Sequence, residues 1–306
     1  MRLVADIGGT NSRLALVTAD LEGVTIGRVQ SYRNADFDRF EDVVTAFLPT
    51  GLSPSQLVVA MAGPVTSNRG RLTNLDWVID GEALAARYCG AAVRVINDLT
   101  ALGYAALRLT AGQLIPLRDH PVAPASQKQA LVVGIGTGFN VSPAIKVGET
   151  TICPAVEAGH TTLYTSIAAQ LERLQPQLSQ AFPTTEALFS GRGRRLFLSH
   201  LTGQTVDSAT PYIARQGQAD NAAFDVALDH YAVLIGMLLA ELKVAHLPND
   251  GLFLAGGVMR SSLTGGRQKL CAEAALRENA VVKITPPIAI IADDTAALLG
   301  CASVEV

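Results

Sequence analysis

The segment Asp6-Ile7-Gly8-Gly9-Thr10-Asn11 sets a carboxylate at the end of an apolar run and follows it with small and hydrogen-bonding residues. Gly8 and Gly9 can take positive φ and let a ligand approach the backbone closely. Successive N–H groups in such a turn form an anion nest. Thr10 and Asn11 add donors, and Asp6 can hold a cation or its waters. An anion cradle beside a carboxylate is the chemistry of metal-bound phosphate, although an ordinary glycine hairpin with a solvated aspartate is spelled the same way. Gly134-Ile135-Gly136-Thr137-Gly138 holds the equivalent place in a later strand–turn–strand stretch. Leu254-Ala255-Gly256-Gly257-Val258 is a third glycine site, open to a flat adenine or ribose, or else a tight turn where strand meets helix. No Walker sequence occurs, and no Gly-x-Gly-x-x-Gly opens a helix with an acidic partner at the distance a dinucleotide site needs.

Acid–base candidates follow. Asn97-Asp98 stand at the C-terminal end of an apolar strand and just before a helix, where ligands bind in open α/β sheets. An aspartate there can accept a hydroxyl proton during phosphoryl transfer to an alcohol. Asn97 can bond a neighbouring hydroxyl, and both residue types also favour helix N-caps. Glu157-Ala158-Gly159-His160 joins a carboxylate and an imidazole across two small residues. That pairing suits adjacent hydroxyls on a sugar ring, and metal ligation lacks a third ligand nearby. Glu186 precedes the turn-rich Leu188–Gly193 stretch, and by itself reads as a solvated helix residue. Asp293 and Asp294 open the last helix, where acids favour the helix dipole.

These residues need a scaffold of strands and helices. The opening reads as two strands joined by the glycine turn, with a third strand over 24–32. Helical spacing covers 37–48, a short buried strand 57–62, a helix 81–88, a strand 93–96 and a helix to about 107. Strands are expected near 130–136, 139–147 and 150–154, echoing the first three. Helices follow near 163–174, 185–190, 191–201 and 220–247, then a strand at 252–254, a strand at 288–291 and a helix at 293–301. Residues 119–128, rich in Pro, Ser and charge, read as a linker or loop. The pattern is an α/β fold with mixed sheets flanked by helices.

Composition bounds the partners. The 306 residues are 49% hydrophobic and 17% charged, enough for a large core and two domains. Mean hydropathy is +0.28, but the longest apolar run, Ala232–Ala240, falls short of the 18 or so residues a span needs. No basic-then-apolar leader opens the sequence, so the expectation is cytoplasmic with no membrane partner. A net charge of −3 argues against nucleic acid. Arg192, Arg194 and Arg195 form the one basic cluster, read as a solvated helix face. Cys89, Cys153, Cys271 and Cys301 lack metal-ligand spacing and read as buried thiols. The 232–240 stretch is either core or a homodimer face.

Taken together, the motifs resemble bacterial glucokinases of the non-repressor type, within the actin/hexokinase superfamily. Asp6–Leu16 is similar to the family's first phosphate segment, Leu72-Thr73-Asn74-Leu75-Asp76-Trp77 to its Thr-Asn-x-x-Trp segment, and Ile96–Ala101 to its catalytic segment. Gly134–Gly138 resembles the second phosphate segment and Leu254–Gly257 the adenosine segment. The resemblance implies a two-lobed actin/hexokinase-like (ribonuclease H-like) fold with five-stranded sheets. It implies a small domain of 1–108 plus 289–306, a large domain of 109–288, and an active site in the cleft. It further implies ATP-dependent phosphorylation of D-glucose or a related hexose, the first step of glycolysis. Asp98 would be the base, and Asn97, Glu157, His160 and Glu186 the sugar ligands. Gly8, Gly9, Thr10, Asn11, Gly136, Thr137 and Gly138 would hold phosphates, Gly256 and Gly257 the adenosine, and Asp6 the waters of Mg²⁺. Phe139-Asn140 stand where the family usually has Leu-Gly, so an effect on nucleotide affinity or donor choice is expected there; Ala158-Gly159 replace a Gly-Gly. A kinase for another hexose and a non-catalytic sugar sensor are the competing readings.

Overall fold

Leu3, Ala5 and Ile7 enter one hydrophobic cluster and Val4 another, so the first apolar run is a strand covered on both faces. The computed structural model describes residues 1–20, 23–72, 75–118, 128–277 and 279–306. Thr73 and Asn74 of the Thr-Asn-x-x-Trp segment, and 119–127 of the expected linker, lie outside the described residues. The chain divides into two units: Met1–Leu109, Lys146–Cys153 and Asp293–Val306 form the first, Thr110–Ile145 and Pro154–Ala292 the second.

The first unit runs β1 (Arg2–Ile7), β2 (Asn11–Asp20), β3 (Gly23–Ile26), β4 (Gln30–Arg33), α1 (Phe40–Phe47), β5 (Gln56–Met61), β6 (Val65–Thr66), β7 (Arg69–Arg71), β8 (Val78–Asp80), α2 (Gly81–Arg87), β9 (Ala92–Asn97) and α3 (Asp98–Ala106). Its main sheet has the order β3-β2-β1-β5-β9, antiparallel at β1–β2 and β2–β3 and parallel at β1–β5 and β5–β9. The expected third strand is in fact two. Gly27 leaves the ladder to donate its N–H to the Leu16 carbonyl at 2.8 Å, and β4 then pairs with the start of β2. The sheet therefore has six strands, one more than expected. The strands β6, β7 and β8 make a separate small sheet.

The second unit runs β10 (Leu114–Pro116), β11 (Gln129–Ile135), β12 (Phe139–Val147), β13 (Thr150–Ile152), α4 (Thr165–Leu174), α5 (Thr185–Leu188), α6 (Gly191–Thr202), α7 (Thr210–Ala214), α8 (Ala222–His246), β14 (Gly251–Ala255), α9 (Gly257–Ser262), α10 (Arg267–Ala275) and β15 (Ile288–Ile291). Residues 146–153 of this stretch group with the first unit. The sheet order β10-β15-β14-β11-β12-β13 repeats the wiring of the first sheet: an antiparallel hairpin followed by parallel strands. The echo seen in the glycine turns is thus a duplication of topology, with β10 as an added sixth strand. Because β15 pairs with β14 and β10, it belongs to the second unit, and the boundary falls after Ala292 instead of before residue 289.

Core packing explains the helices. Among the described residues one helix, 219–246, is long and apolar enough to cross a membrane by length and composition. Its Ala232, Leu234, Ile235, Leu238 and Leu239 are fully buried within the second unit's cluster, so the apolar run is core. Two of the four cysteines depart from the buried reading: Cys89 is exposed and Cys153 half-buried. The chain ends in α11 (Ala296–Ser303), which packs on α3. There a Cβ on Gly300 would collide with the Ala101 carbonyl of α3. Gly300→Ala is therefore expected to cost about 1–3 kcal/mol or more as an overpacked contact, read as a fall in midpoint in urea unfolding.

Candidate active site

In the first unit, the Gly8 N–H donates to the Asn11 carbonyl at 2.9 Å, closing the turn between β1 and β2. Neither Gly8 nor Gly9 adopts the left-handed region. The requirement at Gly8 is space, since a Cβ there would lie 3.3 Å from the Asn11 carbonyl. Asn34, fully buried, ties the turn down: its Nδ2 donates to the Gly8 carbonyl at 2.9 Å, its Oδ1 accepts from Ser12 Oγ at 2.7 Å, and its own N–H donates to the Thr10 carbonyl at 2.9 Å. With the carbonyls engaged, the N–H groups of Gly9 and Thr10 find no backbone acceptor among the described residues. That arrangement suits an anion. The exposed Thr10 and half-exposed Asn11 side chains flank it.

Asp6, at the end of β1, faces Arg13 Nη1 at 3.5 Å, and the same guanidinium lies 3.9 Å from Asp294. Burial, with the nearby Asp98 charge, pushes the Asp6 carboxyl up to about 6 despite Arg13. Asp293 receives the N–H and hydroxyl of Thr295, and the helix itself starts later, at Ala296. Asn97 and Asp98 close β9 and open α3. Asn97 is the N-cap: its Oδ1 accepts from Leu99 N at 2.9 Å and Thr100 N at 3.4 Å, while Nδ2 donates to the Gly63 carbonyl at 2.9 Å. Capping therefore occupies most of its amide. Asp98 Oδ1 accepts from Leu99 N at 2.8 Å, and burial raises its pKa although that N–H and Asn97 oppose the shift. A half-buried carboxylate at a strand end with a raised pKa is a capable base.

In the second unit, the turn between β11 and β12 is closed by Gly136 N–H to the Gly138 carbonyl at 2.9 Å, and the Thr137 and Gly138 N–H groups have no backbone acceptor among the described residues. Gly191, at the start of α6, donates its N–H to the Gly136 carbonyl at 2.9 Å. Gly256 takes φ +96° before α9, and a Cβ on it would strike the Ile135 carbonyl. Three glycine segments thus meet within this unit. Glu186 is no solvated helix residue: its Oε2 accepts the Phe139 N–H at 2.9 Å. The fit also explains Gly138, whose Cβ would stand 2.5 Å from Glu186 Oε2. Gly138→Ala should push that carboxylate off the Phe139 N–H with the fold intact, read as quicker amide hydrogen exchange at Phe139 beside an unchanged circular dichroism spectrum. Glu157 and His160 are exposed at the two ends of a short helical turn, Ala158–His160. Asn140 reaches toward this turn: Nδ2 donates to the Val156 carbonyl at 2.7 Å and Glu157 Oε2 at 3.3 Å, and Oδ1 accepts from Val141 N and Ala158 N.

Sequence reading misplaced Arg194. Only Arg192 and Arg195 of the basic cluster are exposed. Arg194 is buried, and its Nη1 donates to the Val258 carbonyl, Ser261 Oγ at 2.7 Å and Ser262 Oγ at 2.8 Å, fixing α9 to α6. Its helical spacing with the buried Phe197 and Leu198 was the available signal. Asn34 carried no local signal. Among the described residues no group of three His, Cys, Asp or Glu is placed to hold a metal ion.

Known proteins resemble this chain along most of its length. The glucokinase of Saccharophagus degradans is 28% identical over 266 residues, covering 84% of this chain and 82% of that protein. The glucokinase of Caulobacter sp. strain K31 is 29% identical over 266 residues, covering 84% and 79%. The crystal structure of a glucokinase from an Antarctic psychrotroph superposes with TM-score 0.81 at 25% identity, covering 99% of this chain and 97% of that one, which establishes the actin/hexokinase-like fold. The glucokinase family model matches residues 3–305, and the chain belongs to the glucokinase family.

Proposed function

We propose that this protein transfers the γ-phosphoryl group of ATP to the 6-hydroxyl of D-glucose, yielding glucose 6-phosphate and ADP. The observation that carries this reading is Asp98: a half-buried carboxylate at the end of β9, raised in pKa by burial, in a chain matched throughout by the glucokinase family. Asp98 takes the 6-hydroxyl proton as the new O–P bond forms and the bond to the β-phosphate oxygen breaks. Asn97, Glu157, His160 and Glu186 bond the ring hydroxyls, with Asn97 left one Nδ2 hydrogen for that purpose. The Gly8–Asn11 and Gly136–Gly138 turns offer their free N–H groups to phosphate, and Gly256-Gly257 approach the adenosine. Magnesium, when bound, offsets the phosphate charge, and Asp6 would hold its waters.

A kinase for another hexose, such as mannose or an amino sugar, shares every one of these groups. A hexose panel with ATP, ADP and polyphosphate as donors, followed by coupled product detection, tests the choice. Highest kcat/KM with glucose and ATP is the expected result; preference for another sugar would replace glucose in the assignment, and sugar binding without phosphoryl transfer would reduce the protein to a sensor.

A further inference from the structure

We infer that Asn140 is a positioning residue for Glu157, so that it governs sugar affinity and leaves the choice of phosphate donor unaffected; the inference rests on the assignment of Glu157 to the sugar. Asn140 lies opposite Gly134 in the β11–β12 hairpin, two residues beyond the anion-binding turn, where its side chain would be expected to influence phosphate. Its hydrogen bonds run the other way. A carboxamide offers two N–H donors and two acceptor directions. Here Nδ2 serves the Val156 carbonyl at 2.7 Å and Glu157 Oε2 at 3.3 Å, and Oδ1 serves Val141 N at 2.9 Å and Ala158 N at 3.0 Å. All four directions are used, and none remains for a phosphate oxygen. Each partner also fixes the amide's orientation, because carbonyl and carboxylate oxygens only accept and backbone N–H groups only donate.

The consequence falls on Glu157, which is exposed and would otherwise sample several rotamers. Asn140 clamps the backbone on both sides of it, at Val156 and Ala158, and also engages one carboxylate oxygen, leaving the other for a hydroxyl. The adjoining Phe139 N–H does the same for Glu186 at 2.9 Å. The first two residues of β12 therefore anchor the two acids that take the sugar.

A double-mutant cycle tests this. Asn140→Ala removes all four bonds and is expected to raise the glucose KM by about tenfold while the ATP KM stays within about twofold. Amide hydrogen exchange over residues 156–160 should quicken without any ligand present. Asn140→Asp keeps the bonds from Val141 N and Ala158 N but sets a carboxylate against both the Val156 carbonyl and Glu157. It should weaken glucose binding in the Glu157 background, and by less beside Glu157→Gln, whose amide can donate to it while the Val156 cost is common to both arms. A rise in ATP KM with glucose KM unchanged, or an additive cycle, overturns the role of Asn140 while leaving the kinase reading intact. A wild-type protein that releases no ADP with any hexose overturns the kinase reading and this inference with it.

Discussion

Asp98→Asn lowers kcat by at least about 10²–10⁴-fold while glucose still binds. Asparagine keeps the shape of the side chain and the bond from the Leu99 N–H, so the start of α3 survives. What it loses is the capacity to take a proton from the attacking hydroxyl. The wild-type pH profile should carry the same signature. Burial holds the Asp98 carboxyl above its ordinary range, so the base becomes protonated at a higher pH than a free aspartate does. Log kcat/KM should fall as pH drops through that raised value, on an acid limb displaced upward from 3.8. Stopped-time assays of ADP release across pH, with glucose affinity measured by calorimetry, check both parts. Near-normal turnover in the variant removes Asp98 from the role of base.

Asp6→Asn should divide stability from activity. The folded state raises this carboxyl from 3.8 to about 6, chiefly by burial and then by the Asp98 charge. Within that window the folded protein binds a proton that the unfolded chain has released, so stability falls as pH rises through it, and the cost persists at higher pH. In metal-free, nucleotide-free protein at pH 8, the neutral amide should add on the order of 2 kcal/mol, discounted for the lost Arg13 contact, with the gain vanishing below the unfolded value. On the proposed role of Asp6 in holding magnesium's waters, catalysis should move the other way, losing about 10²–10³-fold. Thermal unfolding in chelator at pH 8 and pH 3.5, beside kcat at saturating magnesium, reads the two effects. A lower Tm at pH 8 would contradict the burial argument.

Contiguous features were legible in the sequence. Both glycine turns, the Asn97-Asp98 strand end and most of the strands and helices follow from local spelling, because hairpin turns and helix caps are set by neighbours in the chain, whereas β10, α7 and α10 were not anticipated. The duplicated sheet wiring was visible only as a faint echo, since strand order depends on pairings such as Leu131 with Leu252 that no local pattern records. The strands β6, β7 and β8 are two or three residues long, too short to show a period. Site residues show the same division. Asp98 and Gly8 belong to motifs, whereas Asn34 reaches Gly8 across 26 positions and Phe139 reaches Glu186 across 47. Asn140 was noticed for its place beside the second glycine turn, yet its side chain bonds Val156 and Ala158, a stretch the local pattern does not point to. Arg194 misled because charge pattern and helical phase disagree, and phase prevailed: the guanidinium is buried among two serine hydroxyls and a carbonyl of α9.

Phosphoryl transfer to a sugar hydroxyl with Asp98 as base can be followed by phosphorus NMR of the purified protein with glucose and Mg-ATP. The expected result is a new phosphomonoester signal coupled to the C6 protons of glucose, rising in step with ADP and absent, on the same timescale, for Asp98→Asn. ATP consumption with inorganic phosphate as the only product, or a phosphoester on another hydroxyl, would contradict it.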